Sequence, residues 1–452
     1  MPLTGRQRLV ITLGAVALAT VVVVGAQRAT EWLSPTASAS SAEVAPDLRS
    51  STDKQVAALQ QYLAGQPNDA ARTVQLGDAY LQKARESGDP AYYPRAEAAF
   101  TRALELDPNS FQAMVGMGSL AMSRHQFEDG LAWGKKAHAI APKSSAVLGL
   151  LADALTEMGQ YDVAVETVQA MVDLRPDQAS YARVSYAREL HGYLPEAIES
   201  MQQAVQAGAP HTEATAWTRV QLGHLYFNSG DLTLAQTEYQ RALQEAPDYL
   251  HALAGLARVE AARGHYEPSI ELYRKATATV PLAEYVIALG DVYLAAGRPE
   301  QAEEQYRLVE VIQTLNVANG VNMDLELAMF NLDRDRDLAR TLAQVQPIAQ
   351  RQPSVKALDT LAWALYKNGD CQGAQKALDR ALSVGTRDSL LLFHAGLAAE
   401  CLGDTEVARA HLEQAMRQNP HFSLRYAETA RQTLARLYAS GAAAAAPAER
   451  GS

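Results

Sequence analysis

Cysteine is nearly absent: Cys371 and Cys401 are the only two in 452 residues. That excludes a Cys-rich metal cluster or a disulfide-framed fold and leaves room for one bridge. Aromatic residues are scarce at 7%, while alanine is abundant, and small residues suit closely packed helices. No long alternating run of β-branched residues occurs, which predicts almost no sheet. No dense Lys/Arg cluster accompanies the net charge of -11, so a nucleic-acid partner is not expected. A phosphate-binding glycine loop, a nucleophile elbow and a His-Glu-x-x-His pair are all missing. The ten histidines are scattered, and the densest group, His191, His211 and His224, has no metal-ligand spacing. Neither a cofactor, a metal nor an enzymatic activity is expected.

Long apolar runs are missing too, with one exception. Leu9 to Ala26 is uncharged and dense in Val, Leu and Ala, between Arg6 and Arg8 on one side and Arg28 on the other. About 18 residues at 1.5 Å rise span roughly 27 Å, close to a bilayer core. Residues 1–28 therefore read as a signal-anchor with a single transmembrane helix. The positive-inside bias puts the rest of the chain outside the cytoplasm. The competing reading is a cleaved signal peptide with Ala37-Ser38-Ala39 as its site, giving a secreted protein. Residues 29–52, rich in Ser, Ala, Pro and Thr, read as a flexible linker.

What fills the remainder is repetition. Trp217 to Pro247 holds two apolar helical patterns separated by Gly230-Asp231. Leu222, Gly223 and Tyr226 lie in the first half; Ala235, Tyr239, Ala242 and Pro247 lie in the second. The pattern recurs about every 34 residues. Gly159, Gly192, Gly230, Gly264, Gly297, Gly369 and Gly403 hold one place in their units, at the end of the first helix, where glycine adopts the left-handed cap. Asp231, Asp370 and Asp404 follow directly and can cap the second helix. Extra residues near Gly88 to Tyr93 predict a longer loop in the first unit. Val309 to Asn331 departs from the pattern: a second helix runs on until Asn319-Gly320 breaks it. Residues 53–70 predict an N-terminal capping helix, 71–421 the repeat array, 422–438 a C-terminal capping helix and 439–452 a disordered tail.

These residues resemble the tetratricopeptide repeat (TPR), whose signature is similar to Leu-Gly-x-x-Tyr followed by Ala, an aromatic, Ala and Pro. The match runs from about Arg72 to His421. The resemblance implies an all-α fold: a right-handed α-solenoid of about ten helix-turn-helix units, with a concave groove lined by the first (A) helices. It implies a binder of peptides or protein surfaces. In that register Tyr186, Trp217, His224, Phe227, Asp359, Trp363, Tyr366 and Phe393 face the groove, with Asp153 and Asp291 near equivalent positions. Val74/Asp78, Val115/Ser119 and Val220/His224 stand where chaperone-binding repeats carry Lys and Asn, so no carboxylate clamp is expected.

The resemblance also makes Cys371, at the start of one B helix, and Cys401, at the end of the next A helix, neighbours in an antiparallel pair. A disulfide there closes a loop of about 30 residues and contributes roughly 3–4 kcal/mol; two buried free thiols are the alternative. The expected function is a non-enzymatic, membrane-tethered scaffold or adaptor that displays a TPR groove for a protein partner. A peptide-holding chaperone for secreted or envelope proteins is the alternative.

Overall fold

A computed structural model describes residues 51–279 and 281–445. The expected transmembrane segment, nearly all of the linker and the last residues of the expected tail lie outside the described residues. Among the described residues there are twenty-two α-helices and no strand. Helix α1 (Ser51–Gly65) covers one end. Five A/B pairs follow: α2 (Ala70–Ser87) with α3 (Tyr92–Leu106), α4 (Phe111–Ser123) with α5 (Phe127–Ile140), α6 (Ser145–Glu157) with α7 (Tyr161–Leu174), α8 (Gln178–Leu190) with α9 (Leu194–Ala207), and α10 (Glu213–Asn228) with α11 (Leu232–Glu245). Five more are α12 (Leu250–Ala262) with α13 (Tyr266–Thr279), α14 (Ala283–Ala295) with α15 (Pro299–Ala318), α16 (Asp324–Leu332) with α17 (Leu338–Arg351), α18 (Val355–Lys367) with α19 (Cys371–Leu382), and α20 (Ser389–Cys401) with α21 (Thr405–Gln418). Helix α22 (Ala427–Ala445) closes the array. Each A helix packs on its own B helix, and A helices such as α10 and α12 also pack on each other.

Local chemistry sets this register. All seven cap glycines have positive φ, from +70° at Gly159 to +85° at Gly369. Such angles are strained for residues with a Cβ. Asp231, Asp370 and Asp404 accept backbone N–H groups at the starts of α11, α19 and α21. Packing explains the other signature positions. The Tyr239 ring of α11 is fully buried and lies between Gly223 of α10 and Gly255 of α12. A Cβ on Gly255 would stand 2.5 Å from its Cε1. One B-helix aromatic thus needs a glycine on each of two successive A helices, which ties consecutive units together.

Two boundaries differ from expectation. The inter-helix loop of the first unit is only Gly88–Ala91, because α2 and α3 absorb the extra residues. The closing helix starts at Ala427 and runs to Ala445, into the expected tail. Alanine has the highest helix propensity, and this segment is mostly alanine.

The superhelix returns on itself. Gln126 Nε2 donates to the Gly320 carbonyl at 3.0 Å, 194 residues away. The Val355 N–H donates to the Tyr161 hydroxyl at 2.7 Å, again 194 residues away. Asn419 Nδ2 donates to the Phe227 carbonyl at 2.9 Å, 192 residues away. Gly192 lies against the Gly385 carbonyl. The A–B turns of the second to fifth units therefore touch, one after another, the links that follow the seventh to tenth.

Candidate binding chamber

The inner wall is built from A helices. Their end residues turn inward, and where two superhelical turns face each other they enclose space. One cavity of about 400 Å³ lies between α6–α8 and α16–α20, lined by Glu157, Tyr186, Glu189, Glu326, Lys356 and Asp359 among others. A second, of about 490 Å³, follows the concave side of α8–α14, lined by Trp217, His224, His251, Arg258, Glu284 and Tyr285 among others. The two share Glu157, Tyr186 and Glu189, so they form one chamber.

The electrostatics are those of ionisable groups taken out of water. Burial raises the Glu157 carboxyl to about 7, against the pull of Lys356 and with help from Asp153 and Glu326. Burial also raises Glu189 to about 7, opposed by a hydrogen bond from Asn228, and Glu284 to about 7, opposed by Tyr285. For Glu326 burial is outweighed by Lys356 and His125, which hold it near 2; Lys356 and Glu326 form an ion pair. Two histidines stay neutral. His224 Nδ1 lies 2.7 Å from the Tyr239 hydroxyl, and burial, aided by Arg258 and His251, lowers it to about 3. His251 Nδ1 lies 2.6 Å from the Tyr285 hydroxyl, and burial lowers it to about 4. The Arg258 guanidinium lies over the Phe227 ring at 3.8 Å.

Of the expected groove residues, Tyr186, Trp217, His224 and Asp359 line the chamber. Asp359 lies 2.8 Å from His394 Nδ1. Three others are core. Phe227 is 1% exposed, Trp363 2% and Phe393 0%. Trp363 stacks on His394 at 4.2 Å and on Tyr366 at 5.1 Å, and its Nε1–H donates to Asp333 at 3.0 Å. Phe393 packs against Phe422 and Tyr426. Tyr366 is half-buried on the Trp363 ring and lines neither cavity. Asp153 pairs with Arg183 at 2.8 Å, and Asp291 accepts from Tyr306, Arg334 and Arg425, so both are structural. Cys371 and Cys401 form a disulfide with Cα atoms 6.1 Å apart. No group of three or more His, Cys, Asp or Glu among the described residues could hold a metal ion.

The charged wall was missed from sequence, although part of it carries a signal. Glu157 and Glu189 lie in the last turns of α6 and α8, where the helix dipole disfavours an anion. Carboxylates there need another reason to exist. Glu284 lies in the first turn of α14, where an acid is ordinary, so nothing distinguishes it.

Two models of the tetratricopeptide repeat match the chain. One matches residues 121–185, the other 84–145, 220–284 and 360–421. Together they span about half of it, and the chain belongs to the tetratricopeptide-repeat family, whose members mediate protein–protein interaction. Cellulose synthase operon protein C of Xanthomonas axonopodis pv. citri (strain 306) is 25% identical over an alignment of 354 residues that covers 71% of this chain and 21% of that protein. The CTR9 homolog of Arabidopsis thaliana is 24% identical over 211 residues, 45% and 19% respectively. The chain thus spans about a fifth of the length of the curated relatives it matches. Among solved structures, the APC/C hetero-tetramer Cut9-Hcn1 is similar at 15% identity and a TM-score of 0.38, covering 85% of this chain and 81% of that one.

Proposed function

We propose that the chain is a non-enzymatic scaffold or adaptor that holds a segment of a protein partner in its inner chamber. The observation that carries this reading is the pair of cavities walled by A helices and joined through Glu157, Tyr186 and Glu189. A preformed, partly enclosed cavity with a few placed polar groups is the usual form of a binding site. Tethering through residues 9–26, with the array outside the cytoplasm, belongs to the same proposal. The Cys371–Cys401 bridge supports that placement, since disulfides persist in oxidising compartments. Among the described residues no helix is long and apolar enough to cross a membrane; residues 9–26 lie outside them.

The test is crosslinking in native membranes, purification through a C-terminal tag and mass spectrometry. One stoichiometric partner, lost when Tyr186 and Trp217 are both changed to Ala, is expected. Many weakly held clients would support the peptide-holding chaperone instead. Enrichment of a partner that survives the double change would move the site out of the chamber.

A further inference from the structure

We infer that the chamber takes an extended cationic protein segment, whose lysine or arginine side chains seat against Glu157 and Glu284. The inference rests on the reading that the chamber is the binding site and adds the chemistry of its occupant. Three observations lead to it.

Charge comes first. Glu157, Glu189, Glu284 and Asp359 line the wall. Lys356 is committed to Glu326, and Arg258 lies on Phe227. Carboxylates remain in excess.

The second observation separates Glu157 from the rest. Glu189 accepts from Asn228 at 3.0 Å. Asp359 lies against His394, and the adjacent Tyr285 opposes the upward shift of Glu284. Glu157 is partly buried, accepts no hydrogen bond, makes no close ion pair, feels only the longer-range pull of Lys356, and lines both cavities. A carboxylate drawn partly out of water without a hydrogen-bonded partner is costly. Lys356 pulls on Glu157 without pairing with it, so a cation arriving from outside the chain supplies the close partner that this side chain lacks.

The third is an internal precedent. Lys356 reaches into the same space from the opposite superhelical turn, and its charge is held by Glu326, Glu157 and Glu284 together. The wall therefore already accepts one ammonium group. Tyr186, Trp217 and Tyr285 offer aromatic surface along which the aliphatic stems of further lysines or arginines can lie.

The test uses the full chain and three labelled dodecapeptides, alternating Lys-Ala, Ser-Ala and Glu-Ala, read by fluorescence anisotropy. Glu157→Gln with Glu284→Gln is compared with an outer-face control, Glu304→Gln with Glu310→Gln, which removes the same charge from exposed positions of α15. Circular dichroism checks the fold, and Glu157→Gln alone replaces the double variant if it misfolds. The Lys-Ala peptide should bind best. Its affinity should fall roughly tenfold or more in the chamber variant and by less than about twofold in the control. Equal losses in both variants would reduce the effect to general charge attraction and overturn the inference. So would no binding of the Lys-Ala peptide. Tighter binding of the Ser-Ala or Glu-Ala peptide would also overturn it, while leaving the chamber as a binding site.

Discussion

Glu157 ties ligand chemistry to stability. Its carboxyl is raised from 4.5 to about 7 in the folded chain, so between those values the folded state binds more protons than the unfolded one. Stability contributed by this group therefore falls as pH rises through that window, and the full penalty applies above it. Glu157→Gln should stabilise the protein by on the order of 1–3 kcal/mol at pH 8 and by almost nothing near pH 4. Urea titrations at the two pH values measure this; a loss of stability at pH 8 would mean that the carboxylate has a partner. Trp363 behaves oppositely. It reads from sequence as an exposed groove anchor, but the structure buries it among His394, Tyr366 and Tyr426. Trp363→Ala should cost about 3–5 kcal/mol, seen as a large drop in melting temperature. The physical reason for the misreading is distance along the chain. Beyond the Tyr366 and His394 rings, Trp363 is covered by Tyr426 of the closing segment, and Phe393 by Phe422 and Tyr426 of that same segment. The Phe227 ring lies under Arg258, and its carbonyl accepts from Asn419, 192 residues away. The 34-residue pattern contains none of the contacts made by Asn419, Phe422 and Tyr426.

Within a unit, nearly everything was legible. Helix ends, cap glycines and capping aspartates follow from backbone sterics and from unsatisfied N–H groups, both local. The inter-helix aromatic is legible once its two glycines are seen together. Gly255→Ala should cost about 1–3 kcal/mol, because the new methyl meets the buried Tyr239 ring rather than open space. Gly264→Ala tests a different cause: nothing lies within 4 Å of that position, and its φ of +79° alone carries the penalty. Chemical denaturation of both variants distinguishes packing from backbone strain, since Tyr239→Leu should relieve the first and leave the second unchanged. The irregular stretch after α15 has its own explanation. The Asn322 N–H donates to the Arg124 carbonyl at 2.9 Å, and the Gly320 carbonyl receives Gln126. Those residues serve the contact with the preceding superhelical turn instead of the repeat consensus.

A solenoid whose units touch only their sequence neighbours responds locally to damage. This one should not. Removing residues 353–452 deletes the partners of Tyr161, Gly192 and Phe227. Amide exchange should then accelerate in the A–B turns at 159–161, 191–193 and 228–231, while the first unit, α2–α3, keeps its protection. Hydrogen-exchange mass spectrometry of the truncated chain checks this; acceleration confined to units beside the cut would show that the turn-to-turn contacts carry no stability.

Repeat genes lengthen and shorten by duplicating or losing whole units, and an array held only by adjacent contacts tolerates either change anywhere. Here the separations of 192 and 194 residues act as a second count laid over the local one. Every such contact spans α12–α15. A unit gained or lost there would leave each turn facing the link of the wrong neighbour, and would take Lys356 away from Glu157. Growth is open only toward the two ends, so the interior copy number is as much a part of this molecule's specification as any side chain.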